Sequence, residues 1–279
     1  MELIDIGINI QHRQFAADRD EVIARAVQAG VSTMIVTGTS VKESLAALQL
    51  CREHPGTLYS TAGVHPHNAR QCDGRTIDAL RDLASNDQVV AIGECGLDFN
   101  RDFSPRPQQE RWFEAQVELA SELGLPLFLH ERDAHERFTD ILKQHRTNIS
   151  RAVVHCFTGT ERELKAYLDL DLHIGITGWI CDERRGVHLR EAVRRIPLER
   201  LMLETDAPFL MPRNMAAKTK TGRNEPAFLR YVLGAVASSL GRAEEEVAAA
   251  TTRTSRAFFA LDAAPARDPN KVHSGANES

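Results

Sequence analysis

The chain has no C-x-x-C pair, and its five cysteines (Cys51, Cys72, Cys95, Cys156 and Cys181) are widely scattered. An odd, dispersed set without a secretory leader argues against a disulfide framework. They read as small reduced hydrophobes, with a catalytic thiol the minor alternative. No apolar run approaches the roughly 20 residues of a membrane span. The opening MELIDIGINI lacks the basic segment of a signal peptide and carries acids. A cytoplasmic protein with no membrane partner is therefore expected. Positive charge is not in excess either: the formal net charge is −5. Such a chain repels a polyanion globally, so contact with nucleic acid requires a local basic patch or a metal site. Glycine is scarce where a doubly wound dinucleotide fold needs it. DIGINIQHRQ, after the first apolar run, holds only one.

What is present is a chain of 279 residues in which short β-rich runs alternate with helical patterns. The expected strands are Leu3–Asn9, Thr33–Thr39, Thr57–Val64, Val89–Gly93, Pro126–His130, Ala152–Cys156, His173–Thr177 and Leu201–Thr205. Most are wholly apolar and not alternating, as in a parallel sheet covered on both faces. Between them, FAADRDEVIARAVQAG ends at Gly30, a C-cap candidate. SVKESLAALQLCREH opens on Ser40 with Glu43 three residues later, a capping-box spacing. PQQERWFEAQVELASELG, DAHERFTDILKQH, TERELKAYLDL and PAFLRYVLGAVASSLG continue the pattern. Eight strands with interposed helices predict an α/β fold of the (β/α)8 TIM-type barrel class, a single domain over residues 1–261, at the usual barrel size of about 250 residues. The last stretch, 262–279, lacks apolar anchors and reads as a mobile tail.

The strand ends share a feature. The third is followed by His65 and His67; the fourth by Glu94 and Asp98. The fifth ends in His130 and the sixth in His155. The eighth ends in Glu204 and Asp206. In a parallel barrel all of these reach the same carboxyl-terminal rim, where such enzymes keep their chemistry. Histidine with carboxylate and no thiolate suits a divalent cation such as Mg²⁺, Mn²⁺ or Zn²⁺, with no organic cofactor. A bound cation would also explain how Glu94 stays ionised at the end of a buried strand, where an unpaired carboxylate is costly. Singly, each of these residues is an ordinary structural histidine or a salt-bridged acid. Five strand ends together point to a metal site.

The strings STAGVHPH, AIGECGLDF, HERDAHERF, HCFTG, IGITGW, CDERRG, LETDAPFLMPR and RNEPAFL, in this order, resemble the TatD family of metal-dependent deoxyribonucleases, within the amidohydrolase-like barrels. The resemblance spans about residues 3–261. It implies a magnesium-dependent 3′–5′ exonuclease acting on single-stranded DNA, with RNA as a further substrate and a role in DNA repair. It also carries the family's metal ligands to Glu94, His130 and His155, its eighth-strand aspartate to Asp206 and its third-strand histidine to His65. One departure stands out. The wider family opens with aspartate followed by H-x-H; here Asp5 is kept, but Gly7 and Asn9 occupy the histidine positions. That argues for one protein-held ion, with a second recruited by substrate phosphate.

On this reading Asp206 is either the general base that orients and deprotonates water or a further ligand. His65 contacts the scissile phosphate, protonates the leaving group or completes the ligand shell. His67 and Asp98 either orient the ligands or, for His67, touch substrate. Glu204 is expected on the opposite side of its strand from Asp206 and outside the catalytic set. Arg213, Lys218, Lys220 and Arg223 follow the eighth strand without an intervening acid; Arg213 and Arg223 are the expected phosphate contacts. Arg184 and Arg185 are expected to be neutralised by Asp182 and Glu183. Trp179 reads as packing first and as a base platform second. Asn224 reads as a helix cap. Two other functions compete: a metal-dependent hydrolase of small or aminoacyl esters or amides, and a non-catalytic nucleic-acid-binding protein. A monomer is the default expectation.

Overall fold

In the computed structural model, which describes residues 1–215 and 222–262, eight strands form one parallel sheet in sequence order. They are β1 (Leu3–Ile8), β2 (Val31–Val36), β3 (Leu58–Ala62), β4 (Val89–Asp98), β5 (Leu127–Arg132), β6 (Ala152–Val154), β7 (His173–Ile176) and β8 (Leu201–Leu203). Beyond the ends of β1 and β8 the chain meets itself. Ile8 bridges Ala207, Asn9 N–H donates to the Ala207 carbonyl at 2.7 Å, and Asp206 N–H donates to the Gly7 carbonyl at 2.8 Å. The sheet thus closes into a barrel at its carboxyl-terminal mouth, the architecture anticipated from the strand pattern. All eight expected strands are present.

The helices are α1 (Arg19–Gln28), α2 (Val41–Glu53), α3 (Thr76–Ala84), α4 (Arg106–Leu123), α5 (His135–His145), α6 (Glu161–Asp169), α7 (Val187–Val193), α8 (Leu229–Leu240) and α9 (Glu244–Phe259). Local chemistry sets several of their ends. Ser40 Oγ accepts from Glu43 N–H at 3.1 Å, so the first half of the expected capping box forms. Thr160 and Glu163 form both halves of a box on α6. Helices α4 and α8 stop at Gly124 and Gly241, both left-handed at φ near 65° (66° and 64°). The helices α3, α7 and α9 were not anticipated. Helix α9 carries four threonines and serines, weak helix formers, in TTRTS. Tertiary packing overrides that preference: nine of its residues are buried, including Phe258 and Phe259.

Two apolar layers result. The larger lies between sheet and helices. A second cluster joins Ile4, Ile6, Ile35, Val90, Phe128, Val153 and Met202 of the strands to Phe258 and Phe259 of α9, which plug the barrel. Phe128, fully buried, also packs under His155 with ring centroids 4.9 Å apart. The catalytic-looking rim therefore rests on a dry floor. Among the described residues no helix is long and apolar enough to cross a membrane, and all five cysteines are free. Of the expected tail, residues 263–279 lie outside the described residues.

His173, at the start of β7, stacks edge-on against Phe258 at 4.9 Å, and its buried Nδ1 has no hydrogen-bond partner among the described residues. Burial, reinforced by the Arg200 charge, pushes its pKa down to about 4. A depressed histidine pKa contributes stability that is complete above the unfolded value of about 6.5 and drains away as pH falls toward the folded one. NMR titration is expected to place the His173 midpoint near 4. In chelator-treated protein, the fall in urea midpoint between pH 6.5 and pH 4 is expected to be smaller in His173→Gln than in wild type. An ordinary midpoint near 6.5 would refute the assignment.

Candidate metal centre at the barrel mouth

Strand β4 explains how a carboxylate reaches the mouth. It is buried over all ten residues, Val89–Asp98, and its pairing with β5 shifts register between Gly93 and Cys95. Gly93 and Gly96 hold φ of 142° and 143°, a region disfavoured for side-chain-bearing residues, and each backs onto a β5 carbonyl that a Cβ would strike. The irregularity takes Glu94 out of the ladder and aims it across the barrel.

Three imidazoles converge on one oxygen of that carboxylate. Glu94 Oε1 lies 2.8 Å from His155 Nε2, 2.9 Å from His130 Nδ1 and 3.4 Å from His65 Nε2. The possible ligand atoms of His65, Glu94 and His130 all lie within 4.8 Å of one another. His130 Nε2 is buried and makes no hydrogen bond; Asp98 Oδ2 is 3.5 Å away. Asp98 itself, 1% exposed, accepts from the backbone N–H groups of Asn100 and Arg101 and lies 2.7 Å from His67 Nε2. Asp206 follows β8 with φ of 54°, lines the same cavity, and accepts from Asn9 Nδ2 at 3.0 Å. The expected metal and catalytic residues Glu94, His130, His155, Asp206, His65 and His67 are thus all neighbours on one cavity wall.

The electrostatics are those of a crowded, partly dry cluster. Burial alone would raise the Glu94 pKa, but the His155 and His65 charges, with the hydrogen bonds of His130 and His155, hold it well below the ordinary value. Burial alone would lower His155, yet Glu94 and Glu204 together raise it. His65 goes the other way, pushed down to about 4 by burial against the pull of Glu94. Burial, with Glu94 and Glu204 adding repulsion, pushes Asp206 up to about 7. Burial also pushes the Cys156 thiol up to about 12, and Cys95 is raised for the same reason. Both shifts favour the protonated thiol near neutrality and argue against either cysteine as a nucleophile.

Glu204 corrects the strand-parity expectation. It is fully buried beside the cluster, with Oε2 3.1 Å from His155 Nδ1 and Oε1 accepting from Cys156 N–H. Residues two apart on a strand share a face, so parity never separated Glu204 from Asp206. Its carboxylate fills the space left by two glycines. A Cβ at Gly7 would lie 2.6 Å from Oε2, and one at Gly175 would lie 2.6 Å from Oε1. The space beside Gly7 is therefore taken by the carboxylate of Glu204, which follows β8, and is not a void. Asp5 is not at the centre: it is buried and holds Thr205 through backbone N–H (2.9 Å) and hydroxyl (2.5 Å), fixing the segment that carries Glu204 and Asp206.

The expected phosphate contacts are placed elsewhere. Arg223 binds Asp18 and Glu225, at 2.8 and 2.7 Å, and lies over the Phe15 ring. Arg213 is 3.2 Å from Asp182, which also accepts from the Arg184 and Arg185 backbone. Lys218 and Lys220 lie outside the described residues. The cavity, about 1480 Å³, is lined instead by Arg13, Arg70, Arg101 and Arg132. Their side chains are exposed and show no hydrogen bond or ion pair among the described residues. Sequence reading gave them no phosphate role because they stand singly, three in connections and Arg132 at the end of β5, while it looked for a run. Trp179 does line the cavity, beneath the Arg185 guanidinium at 4.8 Å. Asn224 is no helix cap; its Nδ2 ties the carbonyls of Thr205 and Phe209 together.

The profile of the family described as TatD related DNase matches residues 4–260. A protein of Erwinia tasmaniensis named 3′-5′ ssDNA/RNA exonuclease TatD is 54% identical over 259 residues, covering 93% of this chain and 100% of that relative. A protein of the same name from Salmonella typhimurium is 49% identical, covering 92% and 98%. Among solved structures, YJJV, a TatD homologue from Escherichia coli, superposes with a TM-score of 0.83 at 28% identity, covering 92% of this chain and 98% of that one.

If Glu204 fills the place of a first-strand side chain, Gly7→Ala must push against a carboxylate fixed at both oxygens. We expect a loss of about 1–3 kcal/mol in urea unfolding of the metal-free protein, the usual cost of overpacking. A loss below about 0.5 kcal/mol, the range of an ordinary surface change, would mean that Glu204 yields freely.

Proposed function

Since this chain belongs to the TatD related DNase family, we propose that its barrel mouth hydrolyses phosphodiester bonds of single-stranded DNA, and of RNA, from the 3′ end. The observation that carries the reading is the convergence of His65, His130 and His155 on Glu94 Oε1 in a cavity edged by arginines that have no ion pair among the described residues. We assign Glu94, His130 and His155 to one divalent ion, Mg²⁺ first, with Mn²⁺ and Zn²⁺ also matched to mixed imidazole and carboxylate donors. The unbonded, buried His130 Nε2 and the several donors crowded on one oxygen are what such an ion would relieve. When bound, the ion lowers the pKa of water and neutralises phosphoryl charge.

The chain's own groups do the rest. Asp206, braced by Asn9 and by its backbone bond to Gly7, orients the attacking water and takes its proton at a carboxylate oxygen. His65, beside the cluster and capping the 3-10 turn after β3, faces the phosphate or leaving oxygen. Asp98 fixes His67, and through it the edge of the site. Glu204 sets the His155 ring by engaging Nδ1, leaving Nε2 for the ion. Arg13, Arg70, Arg101 and Arg132 hold backbone phosphates, supplying locally the positive charge that a chain of net charge −5 lacks globally. Free cysteines suit the reducing cytoplasm, and removal of damaged 3′ ends in DNA repair is the role this activity serves.

Chelator-stripped protein, given Mg²⁺ and a 3′-labelled single-stranded oligonucleotide, is expected to release the label. Glu94→Ala is expected to lose at least about a hundredfold, as removal of a ligand or central electrostatic group does. Equal rates in variant and wild type would place the activity in a contaminant or another site. Inertness with Mg²⁺, Mn²⁺ and Zn²⁺ would move the chain to the small-ester hydrolases of the same barrel class.

A further inference from the structure

Two phenylalanines stand out among the aromatic residues. Among the described residues, Phe103 and Phe209 are the aromatic members of the exposed large hydrophobics, at 54% and 45% exposure. Both line the mouth of the same cavity as the candidate metal centre. Phe103 lies in the loop after β4 and Phe209 in the segment after β8. In a ring of eight strands in sequence order, β4 and β8 are four places apart, so their loops face each other across the mouth. The candidate centre lies between them.

Neither ring is exposed because its loop is loose. On one side of Phe103, Asp102 is held by the Arg106 guanidinium at 2.7 Å, and that guanidinium lies over Phe99. On the other, Ser104 is fully buried: its hydroxyl donates to the His67 carbonyl, and its own carbonyl accepts from Gln109. The ring projects from a pinned backbone and meets His67 edge-on at 4.7 Å. Phe209 is fixed in the same manner. Its N–H donates to the Asp206 carbonyl at 2.9 Å, its carbonyl accepts from Asn224 at 2.6 Å, and its ring meets His12 edge-on at 5.5 Å. Each phenylalanine is thus backed by a histidine while much of its surface faces the cavity side of the rim. Two large apolar groups held rigidly in water beside a polar centre are a binding feature, because exposure alone forfeits their burial energy.

We propose that Phe103 and Phe209 are base platforms, on which the nucleobases flanking the scissile phosphate stack. The inference deepens the nuclease reading and rests on it. Stacking on an aromatic face tolerates every base, since each has a π-face. It requires an unpaired base, because a base within a duplex already has its faces covered. The two platforms therefore give the site a preference for single strands without any group that reads sequence. They also bracket the centre, so that a strand gripped on both sides presents one phosphate to it.

The test compares an intact single-stranded oligonucleotide with the same strand made abasic at its last two 3′ nucleotides, using full-length, Mg²⁺-loaded protein. In wild type, abasic ends are expected to raise KM at least about fivefold, the low end for loss of one base–aromatic stack. Phe103→Ala and Phe209→Ala are expected to lose a similar factor on the intact strand, and less than about twofold more on the abasic one, because variant and missing base remove the same contact. Phe103→Trp is expected to restore the intact-strand KM. Equal losses on both strands, or none on the intact one, with wild type active, would overturn the platforms alone. An inert wild type would overturn the nuclease reading and the platforms with it.

Discussion

A single carboxylate oxygen organises this barrel mouth. Glu94 Oε1 is approached by His155, His130 and His65 in a site where solvent is nearly excluded. A carboxylate so buried is tolerable only if its charge is met, and His155 and His130, both raised in pKa, meet it. Much of the surrounding structure serves that one atom. The glycine-borne irregularity of β4 points it inward. Phe128 floors the site under His155. Glu204 holds the far nitrogen of His155, and Asp98 the ring of His67. Asp5 ties down the segment from which both Glu204 and Asp206 project. Barrel closure occurs at that same segment, through Gly7, Asn9 and Ala207, so the closing seam is stitched beside the site.

The eight strands were legible because wholly apolar, β-branched runs have few other uses in a chain with interposed helices. Their ends were less legible. Val89–Gly93 continues to Asp98 because the glycines carry the chain through an irregularity and back into the ladder, which no periodicity announces. Helix α9 was missed since its threonines argue against helix locally, while the need to plug the barrel with Phe258 and Phe259 decides the matter from a distance. Strand-end position sufficed to bring six candidate residues together. It failed for Glu204, where the correct parity would have placed it with Asp206.

Charge was the harder property to read. The basic run after β8 looked like a phosphate grip, but Arg213 and Arg223 are satisfied by acids from remote parts of the chain: Asp182 in one case, Asp18 and the nearby Glu225 in the other. A sequence shows which cations lack acidic neighbours along the chain, not which lack them in space. The arginines at the mouth that have no ion pair among the described residues come singly, from the connections after β1, β3 and β4 and from the end of β5. The same logic hid Phe103 and Phe209, two aromatics that meaningfully face water only once the ring of strands sets them opposite one another.

The account turns on whether a divalent ion sits on Glu94. The most direct measurement is an anomalous difference map from a crystal of this protein soaked in Mn²⁺ without substrate. The account predicts one strong peak at the mouth within about 2.3 Å of a Glu94 oxygen and of imidazole nitrogens from His130 and His155, near typical coordination distances. No peak there, with the three histidines still gathered on the carboxylate, would mean that the cluster is a self-satisfied ion-pair network, and the metal-based reading would fall.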